Sequence, residues 1–179
     1  DIFTQHFYQY YTHIRAFHAC RPQIELVPEY FHKGIIGQNA AEIESIFLRL
    51  FPKVNVHTLN TAIKKVRKTK SNETKKVWFA LHKEQLIEDG YHFLKKGSEY
   101  LQDLVACLKN QYSTENYDEY LNSSIPTIYE ADIPISAISS DDINYISRNI
   151  LSQWGGSLIN NNNPPYFSGT LELNRELNP

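Results

Sequence analysis

The sequence predicts a mainly α-helical domain built around a helix-turn-helix or winged-helix core, with a small β-element. Three observations carry this prediction. Apolar residues recur at the helical period through much of the chain, an asparagine precedes each of two neighbouring helical patterns, and eight of the eighteen Lys and Arg residues lie between Lys53 and Lys76. With 179 residues and 41% hydrophobic residues, the chain is long enough to bury one good-sized core.

We expect a single helical domain over residues 1–159, with its core at about 39–81, and an Asn/Pro-rich break and C-terminal tail over 160–179. No apolar run is long enough to span a membrane, and the first residues do not read as a secretory signal. Cys20 and Cys107 are far apart and are expected to be reduced thiols. These features favour an intracellular protein, cytoplasmic or nuclear. Because the chain begins at Asp1 and contains no Met, we expect a piece of a longer product.

The N-terminal segment predicts a helix that is ended by Pro22. Its apolar stripe consists of Phe3, Phe7, Tyr10, Ile14 and Phe17. The next stretch, IELVPEYF, has the composition of an extended segment, and Gly34 and Gly37 indicate turns.

Two capped helices follow. Asn39 caps the segment AAEIESIFLRLF, which Pro52 ends, and Asn55 caps a third helix that continues to about Lys68. The polar run KTKSNETK predicts a turn. The β-branched and aromatic residues of KKVWFAL then predict a short strand.

A long helical pattern begins near Lys83, and Gly90 and Gly97 divide or bend it. Residues 113–138 show no clear period and predict a long irregular connection. Ser139 and Asp142 have the spacing of a capping box for a last helix, which Gly155-Gly156 would end. The tail either adds a strand through Phe167, Leu171 and Leu173 or is loosely held.

The third helix separates into an apolar and a polar face. At 100° per residue, Ala62, Ile63 and Val66 fall within about 60° of Leu59, which predicts the buried face. The opposite side mixes cations with amide, hydroxyl and imidazole groups, which can contact both phosphates and base edges. The candidate nucleic-acid-binding residues of this helix and the following turn are His57, Asn60, Thr61, Lys64, Lys65, Lys68, Lys70, Lys75 and Lys76.

The stretch VNVHTLNTAI, residues 54–63, resembles the turn and recognition-helix start of many bacterial helix-turn-helix regulators. That resemblance implies a capping role for Asn55 and a central anchor role for Leu59. Arg49 and Lys53 depart from the family pattern, which has a small residue and a turn glycine there, so a longer turn of the winged-helix kind is expected. The basic turn before VWFAL would then be a wing that contacts the phosphate backbone.

We therefore expect non-enzymatic binding of duplex DNA, as a regulator or a subunit of a replication, mobile-element or chromatin assembly. Between Lys53 and Lys76 there are eight basic residues and one acid, Glu73, in a chain whose net charge is −2. A lysine-rich helix face is, however, commonly only solvated. One alternative is a protein-interaction module, such as a helical adaptor, immunity-type partner or effector domain, that uses the Tyr-rich segment 112–132.

A third alternative is a metal-dependent hydrolase or nuclease whose His and acidic residues meet only in the folded chain. The sequence itself favours a non-enzyme without catalytic residues, cofactor or metal site. His6, His13 and His18 do not converge on one helix, and the chain has no CxxC pair, nucleophile elbow or nucleotide-binding glycine loop.

Overall fold

The computed structural model describes residues 2–35, 37, 39–70, 76–160 and 169–173. In this part of the chain there are nine α-helices, two short 3-10 helices and four β-strands. In chain order they are α1 (Ile2–Tyr10), β1 (His13–Cys20), the 3-10 helix Ile24–Leu26, α2 (Val27–Lys33), α3 (Ala40–Leu50), α4 (Val56–Lys70), β2 (Val77–Ala80), α5 (Lys83–Glu88), α6 (Tyr91–Lys96), α7 (Glu99–Ala106), α8 (Glu115–Asn122), β3 (Thr127–Pro134), the 3-10 helix Ile135–Ala137, α9 (Ser140–Asn160) and β4 (Thr170–Leu173).

The predicted fold class, mainly α with a helix-turn-helix or winged-helix core and a small β-element, is wrong. The chain has an α+β fold, because four strands form one antiparallel sheet in the order β3-β1-β2-β4. The strand predicted after the basic turn exists as β2, but it belongs to this sheet and pairs with β1, with Phe17 opposite Ala80. It is therefore a sheet strand and not part of a two-stranded wing.

The described residues divide into two compact units, each built from separate stretches of chain. The sheet unit comprises residues 2–18, 78–89, 128–160 and 169–173, and the helical unit comprises residues 19–35, 37, 39–70, 76–77 and 90–127. The predicted domain boundary at residue 160 stays a prediction.

In the sheet unit, β1 replaces the second half of the predicted first helix. The helix stops at Tyr10, and Ile14 and Phe17, which fitted the helical stripe, lie in the strand. A strand forms here because β1 has partners on both sides. On the β3 side, Arg15 pairs with Asp132, with 3.0 Å between Nε and Oδ1. Long-range pairing thus overrides a local period that also fits a helix.

The last helix of the sheet unit begins as predicted and ends later. The Ser139 hydroxyl accepts a hydrogen bond from the backbone N–H of Asp142 at 3.1 Å, which is the capping geometry that the spacing predicted. Ile143 and Ile146 are buried. The helix continues through Gly155 and Gly156 to Asn160, so the prediction that the glycines end it is wrong.

The sequence predicts either a strand or a loosely held segment for the tail, and the C-terminal part of the sheet unit contains the strand. Leu171 and Leu173 are buried in β4, as the strand reading requires, whereas Phe167 lies outside the described residues. Next to β4, the backbone N–H of Leu81 donates to the Gly169 carbonyl at 3.0 Å.

The helical unit has its core between α3, α4 and α7, with Tyr117 of α8 added to it. The core residues are Ile43, Phe47, Phe51, Val54, Leu59, Ala62, Ile63, Val66, Tyr100, Leu101, Leu104, Val105, Leu108 and Tyr117. Both α3 and α4 pack on α7. The two capped helices that the sequence predicted are present, and they are held by a third helix rather than forming an independent core.

Two other predictions for single segments are wrong. The stretch that reads as extended before Gly34 is mostly the helix α2, whose Pro28 lies in the first turn, where a missing backbone N–H is tolerated. The expected irregular connection over 113–138 contains α8 and β3.

Candidate nucleic-acid interface

The helix that carries most of the predicted site, α4, begins where its cap predicted. The Asn55 side-chain oxygen accepts a hydrogen bond from the backbone N–H of His57 at 2.7 Å, which satisfies one of the free donors at the helix start. The four residues predicted to face the core are all buried: Leu59, Ala62, Ile63 and Val66. This buried face fixes the rotation of α4, so its opposite side is directed to solvent.

The structure brings six of the nine predicted residues together on this exposed side. We call them the α4 polar face: His57, Asn60, Thr61, Lys64, Lys65 and Lys68. All six are exposed. Lys64, Lys65 and Lys68 form no ion pair within the described part of the chain. The Thr61 hydroxyl donates to the His57 carbonyl at 2.8 Å, so it retains only its acceptor capacity for a ligand.

The remaining three predicted residues are placed differently. Lys70 ends α4 and is only half-exposed, with its Nζ 3.5 Å from the Glu99 carboxylate. Lys76 is half-buried immediately before β2, and Lys75 lies outside the described residues. Of the predicted cations that the structure describes, those of the α4 polar face therefore form the exposed surface.

Arg67, the other cation of α4, holds the helix in place. Its Nε donates to Oε1 of Glu44 on α3 at 2.6 Å, and its Nη2 donates to the other carboxylate oxygen. The Tyr100 hydroxyl of α7 donates to the same Oε1 at 2.7 Å. This two-pronged contact with Arg67, together with the Tyr100 hydrogen bond, keeps the pKa of the Glu44 carboxyl below its ordinary value, although burial opposes that shift. No local pattern around Glu44 indicates that this residue is buried and paired.

A small open cavity adjoins the C-terminal end of α4. It has a volume of about 260 Å³ and is lined by Lys70, His92, Glu99, Gln102 and Asp103. The Glu99 carboxylate contacts two of these residues. One oxygen lies 3.5 Å from Lys70 Nζ, and the other lies 3.1 Å from His92 Nε2. The carboxylates of Glu99 and Asp103 make this end of α4 less cationic than the sequence implied.

The tyrosines of the segment 112–132 mainly contact their own unit. Tyr117 is buried, and its hydroxyl donates to the Lys96 carbonyl at 2.6 Å. Tyr112 and Tyr120 are half-buried and pack on the helical core. Burial raises the pKa of Tyr117 to about 12. In contrast, Tyr8, Tyr10 and Tyr11, in and just after α1, are exposed.

No three His, Cys, Asp or Glu side chains come together as a potential metal site among the described residues. Burial raises the pKa of the Cys20 thiol to about 12. Cys20 and Cys107 are both free thiols. Among the helices of the described chain, none combines the length and the apolar character needed to cross a bilayer.

Comparison with protein-family models, curated proteins and solved structures found no match.

Proposed function

We propose that this protein binds double-stranded DNA through the α4 polar face, without covalent chemistry. The observation that carries the proposal is the exposure of Lys64, Lys65 and Lys68 on one helix, where none of the three forms an ion pair with another described residue. From Lys53 to Lys70 the chain contains six cations and no acid. Such a face attracts a polyanion. Binding is favourable because it releases the counterions that are condensed on the polyanion.

The order of side chains along α4 fits contact with a duplex. Lys64 and Lys68 are one helical turn apart and would contact phosphates, which position a protein on the duplex. His57 and Asn60 lie nearer the N-terminus of the helix and would approach base edges in the major groove, which is wide enough to admit an α-helix. Thr61 would contribute its acceptor oxygen and its methyl group.

Duplex DNA fits this face better than an unpaired strand. Proteins that bind single strands without sequence preference stack bases on aromatic side chains. The α4 polar face offers one imidazole and no Tyr, Phe or Trp. Binding of this kind suits a regulator or a subunit of a replication, mobile-element or chromatin assembly.

A charge-reversal titration tests the proposal. The variant Lys64→Glu with Lys68→Glu should lose nearly all measurable affinity for a labelled random-sequence duplex in fluorescence anisotropy at low salt. The matched control is Lys83→Glu with Lys109→Glu, which makes the same change in net charge at two exposed lysines outside α4.

The control should retain most of the affinity, and both variants should keep the circular dichroism spectrum of the parent chain. Equal losses in the two double variants would mean that net charge, rather than the α4 polar face, governs binding. An unchanged affinity in the α4 variant, or no affinity in the parent chain, would reject the proposed function. Tighter binding to an oligo-dT single strand than to the duplex would reject the proposed ligand.

A further inference from the structure

The C-terminal half of α9 in the sheet unit exposes several large apolar side chains. The exposed fractions are 38% for Leu151, 55% for Trp154, 62% for Leu158 and 82% for Ile159. Single exposed apolar residues are ordinary on soluble proteins, but a contiguous group of this size usually contacts something. We call these four residues the α9 apolar patch.

The patch occupies one side of the helix. Leu151, Trp154 and Leu158 recur at i, i+3 and i+7, so they lie along one line, and Ile159 borders it. Gly155 lies between Leu151 and Leu158 on the same side. A Cβ atom built on Gly155 meets no heavy atom within 4 Å beyond the helix's own backbone. The centre of the patch is therefore a shallow gap in which another backbone can approach closely.

The lack of charge along this end of α9 limits which kind of partner can bind the patch. From Asn149 to Asn160 there is no charged residue, and the exposed Arg148, three residues before Leu151 on the same side, is the one cation of α9. A nucleic acid or an anionic membrane surface would require several cations along the patch, and a strongly charged protein segment would require opposite charges. The patch is complementary to an uncharged apolar helix surface. The same patch on a second copy of the chain is such a surface. A second copy meets it without any charge repulsion.

We infer that two copies of this protein associate by packing their α9 apolar patches against each other, with the two helices antiparallel about a twofold axis. Such an interface is isologous, since each copy contributes the same residues. The four side chains expose roughly 400 Å² per copy, judged from the usual areas of buried apolar side chains. About 800 Å² in total corresponds to a small interface and hence to a weak, concentration-dependent dimer.

Sedimentation velocity over a concentration series of the whole chain tests this inference. The parent chain should shift from monomer towards dimer as its concentration rises. The variant Trp154→Glu with Leu158→Glu should raise the dissociation constant at least about 30-fold, because an anchoring tryptophan is lost and four like charges face one another. The matched control, Ile24→Glu with Ile87→Glu, places two charges on exposed apolar residues elsewhere and should dimerise like the parent.

Fluorescence gives a second measurement that does not depend on a charged variant. Trp78 and Trp154 are the two tryptophans of the chain, so Trp78→Phe leaves Trp154 as the reporter. Its emission should shift to shorter wavelength as dimer forms. If the chain remains monomeric at protein concentrations of up to about 0.5 mM, the inference is overturned. An equally strong dimer of the Trp154/Leu158 variant, or a Trp154 emission that stays constant while dimer accumulates, would also overturn it.

Discussion

The carboxylate oxygen Oε1 of Glu44 lies 2.6 Å from Nε of Arg67, and this contact joins α3 to the helix that presents the proposed DNA-binding face. Glu44 is almost fully buried, whereas the Arg67 side chain is more than half exposed. Since Tyr100 donates to the same oxygen, one carboxylate connects three helices of the helical unit. The ionised carboxylate of Glu44 therefore adds a polar contact to the apolar packing that holds α4 against α3 and α7.

The first prediction concerns the pH dependence of stability. Because the hydrogen bond from Arg67 holds the pKa of Glu44 below its ordinary value of 4.5 in the folded chain, the ionised carboxylate stabilises the fold at neutral pH. That contribution is fully present above the unfolded-state pKa and is lost as the pH falls through the lower, folded-state pKa. Glu44→Gln should lower the free energy of unfolding at pH 7 by about 1–3 kcal/mol.

Urea denaturation at several pH values measures this difference. The gap between Glu44→Gln and the parent should narrow as the pH is lowered below 4.5. Glu42→Gln, on the exposed side of the same helix, serves as the control and should change stability little at any pH. A gap for Glu44→Gln that does not change with pH would show that the effect is one of packing rather than charge.

The second prediction concerns Arg21, which binds the carbonyl ends of two helices. Its Nη1 donates to the Leu94 carbonyl near the end of α6, and its Nη2 donates to the Leu121 carbonyl near the end of α8, both at 2.7 Å. Its Nε also donates to the Ser124 hydroxyl at 2.8 Å. The positive charge and the fork of donors thus add hydrogen bonds to carbonyls in the last turns of two helices, and the Leu121 carbonyl also accepts one from the Ser124 backbone N–H at 3.1 Å.

Arg21→Lys keeps the charge but loses the planar fork, and we expect it to lower the free energy of unfolding by about 1–3 kcal/mol. The control is Arg49→Lys, because Arg49 is exposed and forms no hydrogen bond or ion pair among the described residues. Guanidinium denaturation followed by circular dichroism compares the two. If both substitutions lower the free energy of unfolding by the same amount, the planar hydrogen-bonding geometry of Arg21 does not contribute to stability.

The third prediction compares two glycines that the sequence did not distinguish. Gly97 ends α6 with a φ angle of 71°, which is unfavourable for a residue that has a Cβ atom. Gly155 lies inside α9, where an added Cβ meets no neighbour within 4 Å. Gly97→Ala should destabilise the chain by about 1 kcal/mol, and Gly155→Ala should stabilise it by about 0.5–1 kcal/mol.

These two variants are best compared by thermal unfolding at low protein concentration, where association through α9 does not contribute. Opposite shifts in Tm are expected from the same chemical change. A lower Tm for Gly155→Ala would indicate that α9 is not a regular helix at that position.

The fourth prediction concerns the salt dependence of DNA binding, and it depends on the proposed function. Each phosphate contact that is lost reduces the slope of log K against log salt concentration by about 1. Lys68→Gln should show this reduction. Lys70→Gln should show less of it, because Lys70 is already paired with Glu99. Asn60→Ala removes no charge and should leave the slope unchanged while altering discrimination between duplex sequences. Equal slopes for Lys68→Gln and the parent would remove Lys68 from the contact.

Local signals predicted the helix that carries the candidate site. The Asn55 cap and the spacing of Leu59, Ala62, Ile63 and Val66 are properties of adjacent residues, and both are confirmed. The cap at Ser139 is confirmed for the same reason. Information of this kind does not require knowledge of any distant part of the chain.

The errors come from interactions between distant residues. Ile14 and Phe17 fit a helical stripe, but β1 is a strand because it pairs with residues far along the sequence, such as Ala80. The pairing of Lys70 with Glu99 is equally non-local, and no pattern near Lys70 predicts it. Because the local patterns of β1 and β3 predict a helix and an irregular connection, the sequence offers only β2 and the tail as strands. The four-stranded sheet, and hence the fold class, does not follow from local patterns.

The order of strands in the sheet has a consequence for how the polypeptide is made. β1 emerges from the ribosome before its neighbours β2 and β3, which are separated from it by helical segments that must be synthesised first. Until then both edges of β1 lack their native partners and could pair with the wrong chain. Contacts of such high sequence separation also slow folding, since the loop must close before the pairing forms. The sheet is thus completed only after translation reaches β4, which makes the nascent chain most prone to aggregation during the interval before that strand arrives.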